Sequence, residues 1–242
     1  MVKMINLNKF KINIYVDGAN LNDFIKFKKN KLIKGFTTNP SLMRKAGIKN
    51  YKSFSLKVLN IIKKKPVSFE IFTDNTKQIE DQSREISSWA DNVYVKIPIM
   101  NTKKKLNSIL IGKLNKEGIK INVTAVFTTN QTKSILKKIG KKTDLILSSF
   151  AGRIADAGAY PVKEIKKHIK ICKQFKNVKV LWASVRESYN IIEAEKSKCT
   201  IITVPPSILS KLKLFNKNLS EYSKETVQTF YDDAKKSGYS LK

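Results

Sequence analysis

Short runs of consecutive apolar residues alternate along this chain with stretches in which apolar residues recur every three or four positions. Runs of the first kind predict strands buried on both faces; the second kind predicts helices that bury one stripe. Ile12 to Val16 is the first run, ending in Asp17-Gly18-Ala19-Asn20 before a helical stretch with Leu21, Phe24, Ile25 and Phe27. Leu32 to Phe36 is the second, running into Thr37-Thr38-Asn39-Pro40, where Asn and Pro end the strand in a turn. From Tyr51 to Lys64, Phe54, Val58, Ile61 and Ile62 fall on one helix face. Pro66 to Phe72 is a third strand with a charged Glu70 inside it. Thr73 or Asp74 can cap the next helix, which buries Ile79, Ile86 and Trp89.

The fourth strand, Asn92 to Pro98, reads NVYVKIP. A helix with Leu106, Ile109, Leu110 and Leu114 follows, closed by Gly118. Ile119 to Phe127 is the fifth strand, with Asn122 and Thr124 two apart and so on one side of it. Ile135, Leu136 and Ile139 mark a helix, Asp144 to Leu147 the sixth strand, and Val162, Ile165, Ile169 and Cys172 the helix after it. Val178 to Ala183 is the seventh strand, Tyr189, Ile192 and Ala194 a short helix, and Thr200 to Val204 the eighth strand, stopped by Pro205-Pro206. A last helix from Ser220 to Lys236 has Val227, Phe230, Tyr231 and Ala234 on one face and Gly238 to stop it. That face can meet another copy or pack on its own chain.

Eight apolar strands alternating with helices imply parallel strands covered on both faces, and closing the sheet removes its edges. The expected fold is α/β, a (β/α)8 TIM barrel with an additional C-terminal helix, as a single domain over residues 1–242. An open doubly wound sheet is the competitor, but no GxGxxG turn follows the first strand.

Composition narrows the chemistry. The formal charge is +29, which invites a nucleic-acid reading. The lysines, however, recur on nearly every helix, as at Lys63 to Lys65, Lys103 to Lys105 and Lys166 to Lys167, so a bias towards Lys, Asn and Ile explains the charge without such a partner. A positive surface favours small anionic substrates. Two cysteines and one histidine are too few for a structural zinc site; His168 and Cys172, four apart on a helix, are expected to be a solvated side chain and its neighbour rather than metal ligands. With no run of eighteen apolar residues and no signal-peptide core in the N-terminal MVKMINLNKFK, the expected setting is cytoplasmic, away from membranes.

The polar residues out of character for buried strands are Asp17, Asn39, Glu70, Lys96, Asn122, Thr124, Ser148, Arg153, Ser184 and Arg186. Most fall at or beyond the C-terminal halves of the strands, which in a barrel face one mouth and carry the active site. Singly, each has a plain reading: Asp17 as a helix cap, Asn39 as a turn residue, Thr124 as an ordinary strand residue, the arginines as surface charge. Glu70 and Lys96 are harder to place that way, because a buried charge is costly unless paired or functional. Lys96 snorkels to water or stays buried; burial disfavours its ammonium and leaves an amine suited to Schiff-base chemistry.

The segments VDGAN, GFTTNPSL, VSFEIF, YVKIP, INVTAVF, SSFAGR and ASVR, in this order over nearly the whole chain, resemble the transaldolase family of Schiff-base-forming barrel enzymes. The resemblance implies an enzyme that moves a dihydroxyacetone unit from a ketose phosphate (fructose 6-phosphate or sedoheptulose 7-phosphate) to an aldose phosphate, with no cofactor or metal. It casts Lys96 as the Schiff-base lysine, Asp17 as the acid/base and Glu70 with Thr124 as the pair positioning water. Asn39, Asn122, Ser148, Phe150, Arg153, Ser184 and Arg186 become substrate residues, and a homo-oligomer is expected. The family also holds fructose-6-phosphate aldolases, which typically carry Gln and Tyr where this chain has Glu70 and Phe150; that combination resembles transaldolase. Gly18, Ser149 and Ala155 depart from the family pattern. The alternatives are an aldolase without sugar-to-sugar transfer and a non-catalytic basic barrel that binds nucleic acid or an anionic surface.

Overall fold

The computed structural model describes residues 5–241. Eight strands form one closed barrel in chain order, every neighbouring pair parallel. They are β1 (Asn13–Asp17), β2 (Ile33–Thr37), β3 (Val67–Glu70), β4 (Val93–Pro98), β5 (Ile121–Val126), β6 (Leu145–Ser149), β7 (Val178–Trp182) and β8 (Ile201–Val204). The helices are α1 (Leu21–Phe27), α2 (Pro40–Lys45), α3 (Tyr51–Ile61), α4 (Thr76–Ser87), α5 (Ser108–Lys116), α6 (Thr129–Leu136), α7 (Ala151–Asp156), α8 (Pro161–Cys172), α9 (Asn190–Ser197), α10 (Pro206–Leu209) and α11 (Leu219–Ser237). The expected α/β barrel with an extra C-terminal helix is the fold.

The period-2 alternation of the strands divides the apolar residues into two cores. Ile14, Val16, Phe36, Val67, Phe69, Val95, Ile97, Val123, Leu147, Val180 and Val204 join the large cluster between sheet and helices. Their neighbours Tyr15, Tyr94, Ile146, Leu181 and Ile201 form the small cluster inside the barrel. Gly35 is required there, since a Cβ would run into the Tyr15 ring. Further along seven of the strands the inward positions turn polar, at Asp17, Thr37, Glu70, Lys96, Thr124, Ser148 and Thr203, while β7 runs on to Ala183; this sets the site above the plug.

Several local expectations change. The Asn39-Pro40 segment opens α2 instead of making a bare turn: the Asn39 side chain accepts from the Leu42 N–H and Pro40 takes the first turn, where its missing N–H costs nothing. Asn75, not Thr73 or Asp74, caps α4, while Asp74 accepts from the Thr102 N–H. Asn20, not Asp17, caps α1. Leu106 precedes α5 in a bridge to Met100, and Ile109 faces solvent; the buried face is Leu110, Ile111 and Leu114. Pro206 starts α10 as well as stopping β8. His168 is not solvated but fully buried, its Nδ1 2.6 Å from Thr132 Oγ1, and burial holds the imidazole below its ordinary pKa. Gly118 and Gly238 end α5 and α11 in left-handed conformation, as expected.

In α11 no residue is buried; Val227, Phe230 and Tyr231 are 62%, 68% and 61% exposed, so the apolar face does not pack on its own barrel. Among the described residues no helix is long and apolar enough to cross a membrane.

Candidate active site

A cavity of about 540 Å³ opens at the C-terminal ends of the strands. Of the residues expected from sequence, Asp17, Asn39, Glu70, Lys96, Thr124, Ser148, Phe150, Arg153, Ser184 and Arg186 all line it. Asn122 does not. It is fully buried one layer down, where its Nδ2 donates to Ser68 Oγ at 3.0 Å and its Oδ1 accepts from Ser148 Oγ at 2.6 Å. Strand register gives the reason: Asn122 pairs with Lys96, whereas Thr124 pairs with Pro98, two residues nearer the mouth. Lys96 reaches the cavity from that layer by its four-carbon stem, and Asn122 meets the cavity wall through Ser148.

Lys96 lies within β4, an otherwise apolar strand, and is 7% exposed. Its Nζ lies 3.0 Å from Glu70 Oε2 and donates to the Thr38 carbonyl at 3.1 Å. Glu70 and Lys96 face each other because they are register partners on β3 and β4. The lysine neither snorkels nor stands bare: its proton has a carboxylate within reach. The end of β3 is pinned by Tyr51, whose hydroxyl donates to the Glu70 carbonyl at 2.7 Å, and burial keeps that phenol protonated.

Asp17 sits at the end of β1, register partner of Thr37, whose hydroxyl donates to Asp17 Oδ1 at 2.7 Å. That leaves the Thr37 oxygen to accept from Thr203, 2.6 Å away. Burial raises the carboxyl of Asp17 above the ordinary carboxylate range; the charge of Lys96 and the bond from Thr37 oppose the shift without cancelling it. A carboxyl so placed suits proton transfer nearer neutrality. Thr37 and Thr203 are site residues that sequence reasoning missed. Their signal was parity alone: each lies two residues beyond an inward Gly35 or Ile201.

Thr124 is 2% exposed, and its hydroxyl has no hydrogen-bond partner among the described protein atoms. The strand bulges here: the β5–β6 register shifts between Val123 and Val126, and Ala125 takes φ 55°. A non-glycine residue in that region stores strain, which accompanies the re-aiming of the strand end at the mouth.

The far wall comes from α7 and the segment after β7. Arg153 Cζ lies 6.0 Å from the centroid of the Phe150 ring, which in turn packs on Phe127. Ser184 takes φ 63°, and the Gly152 N–H points at the Ala183 carbonyl. Only glycine fits at 152, because a Cβ would land on the Ser184 carbonyl oxygen. Arg186 is held at its backbone N–H by Asn190 Oδ1 at 2.9 Å and at its guanidinium by an ion pair with Asp156. Arg153 and Arg186 thus supply two guanidinium groups to the cavity wall, which also holds Lys45, Lys96 and the carboxyl groups of Asp17 and Glu70. Among the described residues no group of three or more His, Cys, Asp and Glu gathers to hold a metal ion.

Residues 14–241 match the family model described as Transaldolase/Fructose-6-phosphate aldolase. A "Probable transaldolase" of Dehalococcoides mccartyi is 34% identical over 202 residues, 83% of this chain and 90% of the relative. Another, of Methanococcus maripaludis, is 34% identical over 211 residues, covering 87% and 93%. Among solved structures, a putative fructose-1,6-biphosphate aldolase from Coccidioides immitis superposes with TM-score 0.54 over 87% of this chain and 82% of that one; at 8% identity this likeness is one of fold.

Proposed function

The chain belongs to the transaldolase/fructose-6-phosphate aldolase family, and from that premise we propose that it is a transaldolase, passing a dihydroxyacetone unit from a ketose phosphate to an aldose phosphate through a Schiff base on Lys96. The observation that carries this reading is the buried Lys96 amine, 3.0 Å from Glu70 and in one cavity with Asp17. Lys96 Nζ gives its proton to Glu70 and attacks the ketone carbon. The resulting hydroxyl leaves as water, with Glu70 returning a proton, and an iminium remains. Asp17 takes the proton of the hydroxyl on the far carbon of the scissile bond, β to the iminium carbon. That C–C bond breaks, its electron pair passes into the iminium to give an enamine, and an aldehyde departs. The acceptor aldehyde then re-forms the bond, Asp17 returns its proton to the new hydroxyl, and water releases the product and the free amine. The Thr124 hydroxyl, without a hydrogen-bond partner among the described residues and in the same cavity wall as Glu70 and Lys96, is the second hand on that water. Arg153 and Arg186 take the phosphate as planar donor forks, and Asn39, Ser148, Ser184 and Phe150 shape the space between. Asn122 acts one layer lower, orienting Ser148.

Glu70 and Phe150 favour transfer over simple aldol cleavage. The test is a coupled assay for glyceraldehyde 3-phosphate released from fructose 6-phosphate, with and without erythrose 4-phosphate. Sustained release that requires the acceptor is expected; equally fast release without it would establish the aldolase reading instead. We also propose assembly into a homo-oligomer through α11, whose apolar face of Val227, Phe230 and Tyr231 is uncovered. The proposed partners are sugar phosphates, not nucleic acid or membranes.

A further inference from the structure

The two arginines at the phosphate end are held in different ways. Arg153 rests over Phe150 within its own segment. Arg186 is half exposed on a loop, and its long side chain has many rotamers to choose from. What fixes it is Asp156, which takes Nη2 of the guanidinium and is itself about half exposed. Asp156 lies three residues after Arg153 on α7, so one short helix supplies one arginine and aims the other. The two elements that the ion pair bridges are already pressed together, since Gly152 on α7 meets the Ser184 carbonyl two residues before Arg186. The Asn190 side chain holds the Arg186 and Glu187 N–H groups, so the backbone at 186 is fixed and only the guanidinium needs a guide.

We propose that Asp156 is a positioning residue that sets the affinity of this site for phosphorylated substrates by holding Arg186 over the cavity. The inference rests on the reading of Arg153 and Arg186 as phosphate ligands. A guanidinium has five N–H donors; with Nη2 given to Asp156, Nε and Nη1 remain for an anion. Two effects compete. The Asp156 charge repels a phosphate, but both side chains stand in solvent, where such repulsion is screened. Holding a flexible arginine in its bound geometry removes the cost of ordering it on binding. Pre-ordering is the larger effect, so loss of Asp156 weakens phosphate binding about three- to tenfold.

The test is calorimetric titration of the full chain and its Asp156→Ala and Asp156→Glu variants with inorganic phosphate. Alongside it, the concentration dependence of borohydride trapping of unphosphorylated dihydroxyacetone at Lys96 is measured. Asp156→Ala is expected to raise the phosphate Kd by that factor and Asp156→Glu to recover most of it, while the trapping curve stays in place. A merely structural role would move both curves together, and that result overturns the proposal. So does Asp156→Ala binding phosphate as tightly as wild type or more tightly, and so does a wild type that binds no phosphate. If the wild type binds phosphate with the expected Asp156 dependence but traps no dihydroxyacetone, the Schiff-base reading fails and this one stands.

Discussion

Asp17 is the residue at which stability and chemistry pull in opposite directions. Its folded pKa is raised by burial, so the folded state holds the proton more firmly than the unfolded chain does. Stability therefore falls as pH rises from the ordinary carboxylate range through the folded pKa, and the full penalty is present above it. Asp17→Asn removes that penalty and keeps an acceptor for the Thr37 hydroxyl. The variant is expected to melt a few degrees higher than wild type at neutral pH, with the difference shrinking as pH falls towards 4, and to lose about 100-fold or more in turnover. Thermal melts across pH alongside the transfer assay check both halves; a variant less stable at neutral pH contradicts the burial argument. Lys96 and Glu70 were legible in the sequence because a charge within an apolar strand is costly; Asp17, whose plain reading was a helix cap, was marked by its place at a strand end and by the family resemblance. Thr37 and Thr203 were not, because hydroxyls on strands are commonplace; Asn122, which the resemblance casts as a substrate residue, is fully buried below the cavity lining, a depth that alternation along a strand does not tell.

At the scale of elements, the eight strands and the longer helices followed from periodicity, since each spans enough residues to show its repeat. The short helices α2, α7 and α10 span four to six residues, fewer than two turns, and left no periodic trace. Their signals are single residues: the Asn39-Pro40 cap of α2, Pro206 at the head of α10, and Gly152 in α7. The last is a contact across elements, invisible along the chain. Gly152→Ala is expected to destabilise the fold by about 1–3 kcal/mol, as overpacking against backbone does, and to raise KM for phosphorylated substrates by parting Arg153 from Arg186. Denaturant unfolding and steady-state kinetics read the two effects, and unchanged stability would show that the backbone at 152 and 184 separates freely.

For the molecule as a whole, barrel closure gathers residues from all eight strand ends into one mouth, and so residues scattered from position 17 to position 203 share a cavity. The sequence marked these residues separately; topology and register brought them together. Helix α11 stands outside that logic: its spacing was plain in the sequence, but whether its face met its own barrel was not. Deleting residues 219–242 is expected to lower the sedimentation mass to that of a monomer, while an unchanged mass would remove α11 from the assembly.

The central claim is that the Lys96 amine forms a carbon–nitrogen bond with the substrate ketone. Borohydride reduction in the presence of fructose 6-phosphate, followed by intact mass and peptide mapping, tests it most directly. A covalent sugar fragment on the peptide containing Lys96, absent in Lys96→Met, is the predicted result; a folded protein whose mass never changes, or whose adduct lies on another lysine, contradicts it.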